Sequence, residues 1–320
     1  MADERPPSAA RDDARPSHAG AACGPVAESR AARRRRFGAF RWGVRAAAVL
    51  ALAGMFMFGL DGCFYYPSRV IEDTPADFDL AFEEVRFPSR DGTMLSGWFL
   101  PAAGEPRGTI VHFHGNAENI STHVGFVAWA PAAGYHLLVF DYRGYGKSEG
   151  RTTRAGTILD GHAAIDYILT RPEVDPRRLI VIGQSLGSAV AAVVAADRPE
   201  VRGVILESPF SRYRDIATHH LRQVFQFELP SRTLAASLVS SGHEPIDAIA
   251  RIAPRPLLVI VSGEDPICPP HLGQALFAAA AEPKSLWKLP HGGHTEAFVS
   301  HTAEAIRRVN ELVDRAAGTD

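Results

Sequence analysis

The stretch Gly183-Gln-Ser185-Leu-Gly187 decides the fold, because it joins a strand-like segment to a helix-like one. The run Leu179-Ile-Val-Ile182 before it is short and wholly apolar, as in a buried parallel strand. Residues 189–195 after it are small and apolar, which favours a buried helix. A G-x-S-x-G sequence in this context forms a sharp turn that exposes its serine. We therefore expect Ser185 to be a nucleophile and the Leu186 N–H to bind a developing oxyanion.

Outside this stretch, short apolar runs alternate with helix-like segments. Two runs of alternating polarity flank Arg90-Asp-Gly92, which predicts an antiparallel hairpin. The predicted strands are residues 82–87, 94–100, 109–113, 136–140, 179–182, 203–206, 256–261 and 285–289, and the predicted helices are residues 117–132, 157–170, 187–197, 271–281 and 295–315. This order predicts an α/β fold in which a mostly parallel central sheet carries helices on both faces. Residues 209–250 interrupt the alternation, and we expect them to form a small helical cap over the sheet edge where the active site would lie.

The base that a serine nucleophile needs is expected late in the chain. A serine hydroxyl is a weak nucleophile until a neighbouring base accepts its proton. In strand–turn–helix sites of this type, the acid and then the histidine follow the serine along the chain. The stretch Leu289-Pro-His-Gly-Gly-His294 follows the predicted last strand. His294 is therefore the predicted base, and His291 is the alternative.

The acid that orients the histidine is expected after the penultimate strand. Asp265 follows residues 256–261 and would accept a hydrogen bond from the imidazole, which fixes its tautomer. Glu264 is the neighbouring alternative, and Glu207, after an earlier strand, is the candidate should neither serve. Cys268 lies close by and is interpreted as a small apolar packing residue rather than as a nucleophile.

A second oxyanion donor is expected in the loop after the third predicted strand. That strand ends in His112-Phe-His114-Gly115-Asn116. A glycine at this point lets the backbone approach a substrate closely. The N–H of Asn116 is therefore the predicted second donor.

Four stretches together resemble the α/β-hydrolases that carry an H-G-N-A oxyanion motif. They are His114-Gly-Asn-Ala117, Asp141-Tyr-Arg-Gly-Tyr-Gly-Lys-Ser-Glu-Gly150, Gly183-Gln-Ser-Leu-Gly187 and Gly292-Gly-His294, and the resemblance covers roughly residues 66–313. The family that the chain resembles includes membrane-associated hydrolases of the acyl-protein thioesterase type and their bacterial relatives. It implies an α/β-hydrolase fold and a serine hydrolase with a triad of Ser185, His294 and Asp265 that needs no cofactor.

The acid loop departs from that family's pattern. The family usually has two residues between the glycine and the aspartate, whereas here only Glu264 separates Gly263 from Asp265. Counting back from Pro269-Pro270 places Asp265 at the family's acid position.

The stretch 141–150 lacks the G-K-[ST] ending of a phosphate-binding loop. It corresponds in that family to a structural crossover, so we predict no catalytic role for it.

The N-terminal part of the chain differs in composition from the predicted hydrolase domain, residues 67–320. Residues 1–41 form a basic leader, which we expect to be disordered because it holds few large apolar residues. Residues 42–66 contain the uncharged run 46–60, with basic residues before it and aromatic residues on both sides. This pattern predicts a membrane anchor or a secretory signal, with the hydrolase on the extracytoplasmic side. The stretch Leu60-Asp-Gly-Cys63 also resembles a bacterial lipoprotein cleavage box, in which the cysteine receives lipid.

The composition argues against several classes of protein. The chain has 34 basic and 36 acidic residues, which does not favour nucleic acid as a partner. Its three cysteines form no disulfide framework, and no metal-binding spacing occurs, so we predict neither a metal nor another cofactor. The predicted function is hydrolysis of small-molecule or acyl-chain esters or thioesters through an acyl-enzyme. A serine peptidase of the same fold and a catalytically silent, membrane-tethered binding protein are the alternatives.

Overall fold

The computed structural model describes residues 61–318. The predicted leader, 1–41, and most of the predicted anchor or signal, 42–66, lie outside the described residues and stay predictions. From residue 61 to residue 318, no helix is both long and apolar enough to cross a membrane. The description below therefore concerns nearly all of the region predicted as the hydrolase domain, 67–320.

The described region has ten strands, and eight of them form one large sheet. In chain order the strands are β1 (Tyr66–Pro67), β2 (Glu83–Pro88), β3 (Met94–Leu100), β4 (Gly108–Phe113), β5 (Ala117–Glu118), β6 (Tyr135–Phe140), β7 (Leu179–Gln184), β8 (Gly203–Glu207), β9 (Leu257–Ser262) and β10 (Lys284–Leu289). The order across the large sheet is β10-β9-β8-β7-β4-β6-β3-β2. The β2–β3 and β3–β6 pairs are antiparallel, and the other pairs of this sheet are parallel. The prediction of a mostly parallel central sheet is confirmed.

Helices cover both faces of the sheet. In chain order the α-helices are α1 (Ile120–His123), α2 (Arg154–Ile168), α3 (Leu186–Asp197), α4 (Tyr213–Phe225), α5 (Glu228–Leu238), α6 (Pro245–Ala248), α7 (Pro270–Ala279), α8 (Ala297–Ser300) and α9 (Thr302–Ala317). Every residue of β4, β6, β7, β8 and β9 is buried, which explains why these strands read as continuous apolar runs. Val181 of β7 packs in the apolar core beneath α2 and α3. Its neighbours Ile180 and Ile182 face the opposite core, which α9 covers.

One predicted helix is absent. Residues 117–132 contain β5, the four-residue α1 and a 3-10 turn at Val124–Phe126 instead of one continuous helix. Asn119 has an extended backbone, and its side-chain amide donates to the carbonyl oxygens of Ser68 and Val70, at 3.1 and 2.6 Å. The prediction of a continuous helix is therefore wrong, because hydrogen bonds to a distant part of the chain hold Asn119 out of the helical conformation.

The other predicted elements are present, with small differences at their ends. The predicted helix at 295–315 is divided at His301 into α8 and α9. The segment predicted as a cap, 209–250, contains α4, α5 and α6. Its helix α4 lies over the carboxyl ends of the central strands, where it forms part of a pocket described below.

A second, very short sheet lies beside the loop that follows β4. Strand β1 pairs in parallel with β5, so that Tyr66 lies opposite Ala117. The N–H of Tyr66 also donates to the side-chain oxygen of Asn116 at 3.1 Å. The first described residues of the chain are thereby joined to the loop in which an oxyanion donor is predicted.

Candidate active site

Ser185 lies at the apex of a strained turn between β7 and α3. Its φ of 54° and ψ of −120° lie in a region that residues other than glycine rarely adopt. A Cβ on Gly183 would lie 2.6 Å from the carbonyl oxygen of Gly187. A Cβ on Gly187 would overlap the carbonyl oxygen of Phe113 at the end of β4. Both glycines are therefore required for β7, α3 and β4 to pack closely enough to hold this turn.

The serine opens onto an apolar pocket of about 570 Å³. Its lining residues come from the first described residues, the loop after β4, the serine turn, the loop after β8, the cap helix α4 and the acid loop: Phe64, Tyr66, Asn116, Ser185, Leu186, Phe210, Ile216, Ala217, His220, Leu221, Val224, Ile267 and Cys268. Ser185 itself is 8% exposed. A pocket with apolar walls and a few convergent polar groups is typical of a small-molecule site.

Asp265 and His294, which are 29 positions apart, meet in a direct hydrogen bond. The distance from His294 Nδ1 to Asp265 Oδ2 is 2.8 Å, and the Asp265 side chain is fully buried. Its Oδ1 accepts the N–H groups of Ile267 and Cys268, at 2.9 and 2.8 Å. Burial opposes the charged form, but the hydrogen bond from His294 and the backbone bond outweigh it and hold the pKa of Asp265 below its ordinary value. An ionised Asp265 binds Nδ1–H, which leaves Nε2 of His294 to act as a base.

The two alternatives named from the sequence form a separate surface pair. Glu264 Oε1 lies 3.1 Å from His291 Nδ1, and these side chains are 64% and 84% exposed. The acid loop, although one residue shorter than expected, therefore places Asp265 rather than Glu264 against His294.

Asn116 and Leu186, the two predicted oxyanion positions, both line the pocket beside Ser185. A Cβ on Gly115 would lie 3.8 Å from the Cβ of Ser185, so the loop after β4 passes directly over the serine. Among residues 61–318, no acceptor takes a hydrogen bond from the N–H of either Asn116 or Leu186. Both donors are therefore available to a ligand.

The orientation of the Asn116 N–H is fixed by His114. The carbonyl oxygen of Gly115 accepts a hydrogen bond from Nδ1 of His114 at 2.8 Å. Because the peptide is planar, this bond also sets the direction of the Asn116 N–H. Burial holds the pKa of His114 well below its ordinary value, so the ring is neutral and donates through Nδ1.

The stretch 141–150 supports the same loop. The hydroxyl of Tyr145 donates to the carbonyl oxygen of Asn116 at 2.6 Å, and that of Tyr142 donates to the carbonyl oxygen of His114 at 3.2 Å. Sequence reasoning assigned this stretch only a structural crossover. The two tyrosines and the H-G-N-A motif are visible in the sequence. Nothing in the sequence indicates, however, that the hydroxyl groups of these tyrosines bind the loop that carries the motif.

Neither Glu207 nor Cys268 belongs to the histidine–aspartate pair. Glu207 is buried and is bonded to Gln184 and Ala297, not to His294. Burial raises the pKa of its carboxyl to about 7. Burial also raises the pKa of the Cys268 thiol to about 12, so this residue stays a neutral packing group.

Residues 61–318 contain no group of three or more His, Cys, Asp or Glu side chains that could hold a metal ion.

Comparison with known proteins gives both sequence relatives and structural neighbours. The sequence profile of a family described as "Serine aminopeptidase, S33" matches residues 104–248. The uncharacterized protein YfhR of Escherichia coli O157:H7 is 36% identical over 250 residues, which cover 76% of this chain and 83% of that protein. The α/β-hydrolase domain-containing protein WAV2 of Arabidopsis thaliana is 35% identical over 237 residues, which cover 71% and 77% of the two chains.

The fold is also similar to that of a solved structure. An esterase of Pyrococcus furiosus superposes with a TM-score of 0.66 at 23% identity, covering 79% of this chain and 98% of that one. At this level of identity the likeness shows the fold alone.

Proposed function

The chain belongs to the α/β-hydrolase family, and from this premise we propose that it is a serine hydrolase that cleaves esters or thioesters of apolar acyl groups. One observation carries the proposal: Ser185, on its strained turn, opens onto an apolar pocket that the two oxyanion positions also line. A nucleophile, an oxyanion site and an acyl-binding wall thus meet at one place.

The proposed reaction is a two-step acyl transfer. Ser185 Oγ attacks the carbonyl carbon while Nε2 of His294 takes the hydroxyl proton, and Asp265 stabilises the imidazolium. The N–H groups of Asn116 and Leu186 stabilise the oxyanion, at about 2.7–4 kcal/mol for one such donor. The imidazolium then protonates the leaving alcohol or thiol. Water attacks the acyl-enzyme with the same base, which releases the acid and restores Ser185.

The pocket favours apolar acyl groups over the free amino terminus of a peptide. An aminopeptidase must bind an ammonium group, and a desolvated ammonium needs an anionic partner. Within the part of the chain that the structure describes, no Asp or Glu lines the pocket. Cap-helix side chains such as Ile216, Leu221 and Val224 form an apolar wall instead.

The remaining proposal concerns location. We propose that residues 42–66 attach the enzyme to a membrane, with the hydrolase on the extracytoplasmic side; the uncharged run 46–60 after a basic leader supports this. Fractionation of cells that express the full chain tests it, and Cys63→Ser distinguishes the lipoprotein from the uncleaved anchor. Recovery of the full-length protein from the soluble fraction would contradict the proposal.

The proposed activity is tested with a fluorophosphonate and a series of p-nitrophenyl esters from acetyl to decanoyl. We expect labelling that Ser185→Ala abolishes, and a rise in kcat/KM along the series until the pocket is filled. Each buried methylene contributes about 0.8 kcal/mol, or about fourfold. Cleavage of a peptide anilide without ester turnover would indicate the peptidase. A folded protein that shows neither labelling nor turnover would indicate the binding protein.

A further inference from the structure

Two buried polar residues that the mechanism above does not use lie where the three triad loops meet. Glu207 is the last residue of β8, and Ser208 follows it; they are 1% and 3% exposed. We propose that Glu207 and Ser208 form a junction that positions the serine turn, the acid loop and the histidine loop relative to one another. This inference rests on the proposed function, because it assigns the junction a role in that reaction.

Glu207 joins the serine turn to the histidine loop. Its carbonyl oxygen accepts the N–H of Ser185 at 2.9 Å and the hydroxyl of Ser188 at 2.8 Å. Its carboxylate accepts the side-chain amide of Gln184 at 2.6 Å and the N–H of Ala297 at 2.7 Å. One residue therefore binds the positions on both sides of the nucleophile and a position three residues after His294.

Ser208 joins the histidine loop to the acid loop. Its hydroxyl oxygen accepts the N–H of Thr295 at 3.2 Å, and the hydroxyl faces the Asp265 carboxylate and helps to hold the pKa of that group below its ordinary value. Its N–H donates to the carbonyl oxygen of Ile260 on β9 at 2.9 Å, which ties it to the strand that leads into the acid loop. Its φ of 49° lies in the left-handed region, at a cost of about 1–3 kcal/mol. This strain is maintained because the conformation lets the hydroxyl reach both loops.

The hydrogen bonds around Glu207 distinguish a positioning role from simple packing. His112 Nε2 lies 2.8 Å from Gln184 Oε1, so the imidazole donates to the amide, whose NH₂ then donates to the carboxylate. Reversal of this chain would satisfy a glutamine at position 207, provided that the Gln184 amide turns over and His112 changes tautomer. The Glu207→Gln variant therefore removes the charge but retains the bonds, whereas Glu207→Ala removes both.

Glu207→Ala, Glu207→Gln and Ser208→Gly provide the test, with kcat and KM on one activated ester. We expect Glu207→Ala and Ser208→Gly to lower kcat, the former by about 100-fold, as for a misplacement of about 1 Å among reacting groups. KM should change little, because neither residue lines the pocket. Glycine is chosen at position 208 because it adopts the positive φ without strain and removes the hydroxymethyl group.

Glu207→Gln should retain most of kcat, because its side-chain amide keeps the bonds to Gln184 and Ala297. Glu207→Met fills a similar volume without those bonds, and we expect it to lower kcat by a factor similar to that of Glu207→Ala. A residue that only filled space would instead give Glu207→Met a kcat close to that of Glu207→Gln.

The matched control for Glu207→Ala is Glu244→Ala. Glu244 is also a buried carboxyl that accepts a backbone N–H, that of Tyr213 at 2.8 Å, but it lies under the cap helix. We expect its kcat to equal that of the wild type.

Two outcomes would overturn the junction: unchanged kcat for folded Glu207→Ala and Ser208→Gly, or an equal loss of kcat in folded Glu244→Ala. A wild type without labelling or turnover would refute the proposed function instead. In that case the downfield ¹H NMR signal of the His294 Nδ1–H still tests the positioning, because Ser208→Gly should weaken or remove it. A signal identical to that of the wild type would refute the junction.

Discussion

Replacement of Asp265 by asparagine should lower kcat by about 10⁴-fold, which corresponds to about 5 kcal/mol of transition-state stabilisation. In the wild type, Oδ1 accepts two backbone N–H groups and Oδ2 accepts the imidazole Nδ1–H. An asparagine has one oxygen to serve both sides. Turning that oxygen towards His294 would leave two backbone donors facing an NH₂ group, at a cost of about 1–3 kcal/mol for each unsatisfied donor.

The asparagine oxygen therefore stays on the backbone side, and its NH₂ faces the imidazole. The ring of His294 must then accept at Nδ1 and carry its proton on Nε2, so that it cannot take the proton of Ser185. The backbone bonds of the acid loop survive in this arrangement. We therefore expect the loss to appear in kcat and not in the fold.

The assay is kcat on one activated ester, with circular dichroism and thermal unfolding as checks on the fold. Glu264→Gln is the matched control, because it changes the neighbouring carboxyl to an amide at an exposed surface pair. It should leave kcat close to that of the wild type. The reasoning fails if folded Asp265→Asn retains a tenth or more of the wild-type kcat, or if Glu264→Gln is the more damaging change.

Four further predictions follow from the geometry of the site. Ser185→Ala should abolish fluorophosphonate labelling without lowering the midpoint of urea unfolding; labelling that persists would contradict the assigned nucleophile. His294→Ala should reduce kcat by several orders of magnitude whereas the exposed His291→Ala should not, and the reverse order in a parallel ester assay would reassign the base. Gly187→Ala should lower the free energy of unfolding by more than about 3 kcal/mol, because its Cβ would overlap backbone, and an unchanged urea midpoint would refute this. Tyr145→Phe should lower kcat by about tenfold, because the oxyanion loop loses a hydroxyl that holds it; equal kcat values for variant and wild type would exclude that role.

The sequence predicts those features that depend on local pattern or on chain order. The apolar runs of the central strands are unambiguous because each strand is buried on both faces. The turn at Ser185 is equally clear, because two glycines at fixed spacing follow one strand and open one helix. Asp265 and His294 could be paired from their order along the chain, since each follows a strand at the same edge of the sheet.

Features that depend on contacts between distant segments could not be predicted in this way. Asn119 is held out of the predicted helix at 117–132 by bonds to carbonyl oxygens about 50 positions earlier. Tyr145 reaches Asn116 across 29 positions, and Glu207 reaches Ala297 across 90. No local propensity encodes such pairs, because each depends on how the strands are ordered in the sheet.

The pairing of β1 with β5 connects the first described residues of the chain to the loop that carries a predicted oxyanion donor. Tyr66 is hydrogen-bonded to Asn116, so a pull on the preceding segment would be transmitted directly to an oxyanion donor. A shortened protein that begins at residue 68 would keep Ser185, Asp265 and His294 but lose this brace. Its activity would then underestimate that of a protein that keeps residues 66 and 67, so an assay on the shortened domain does not measure the full contribution of the oxyanion donors.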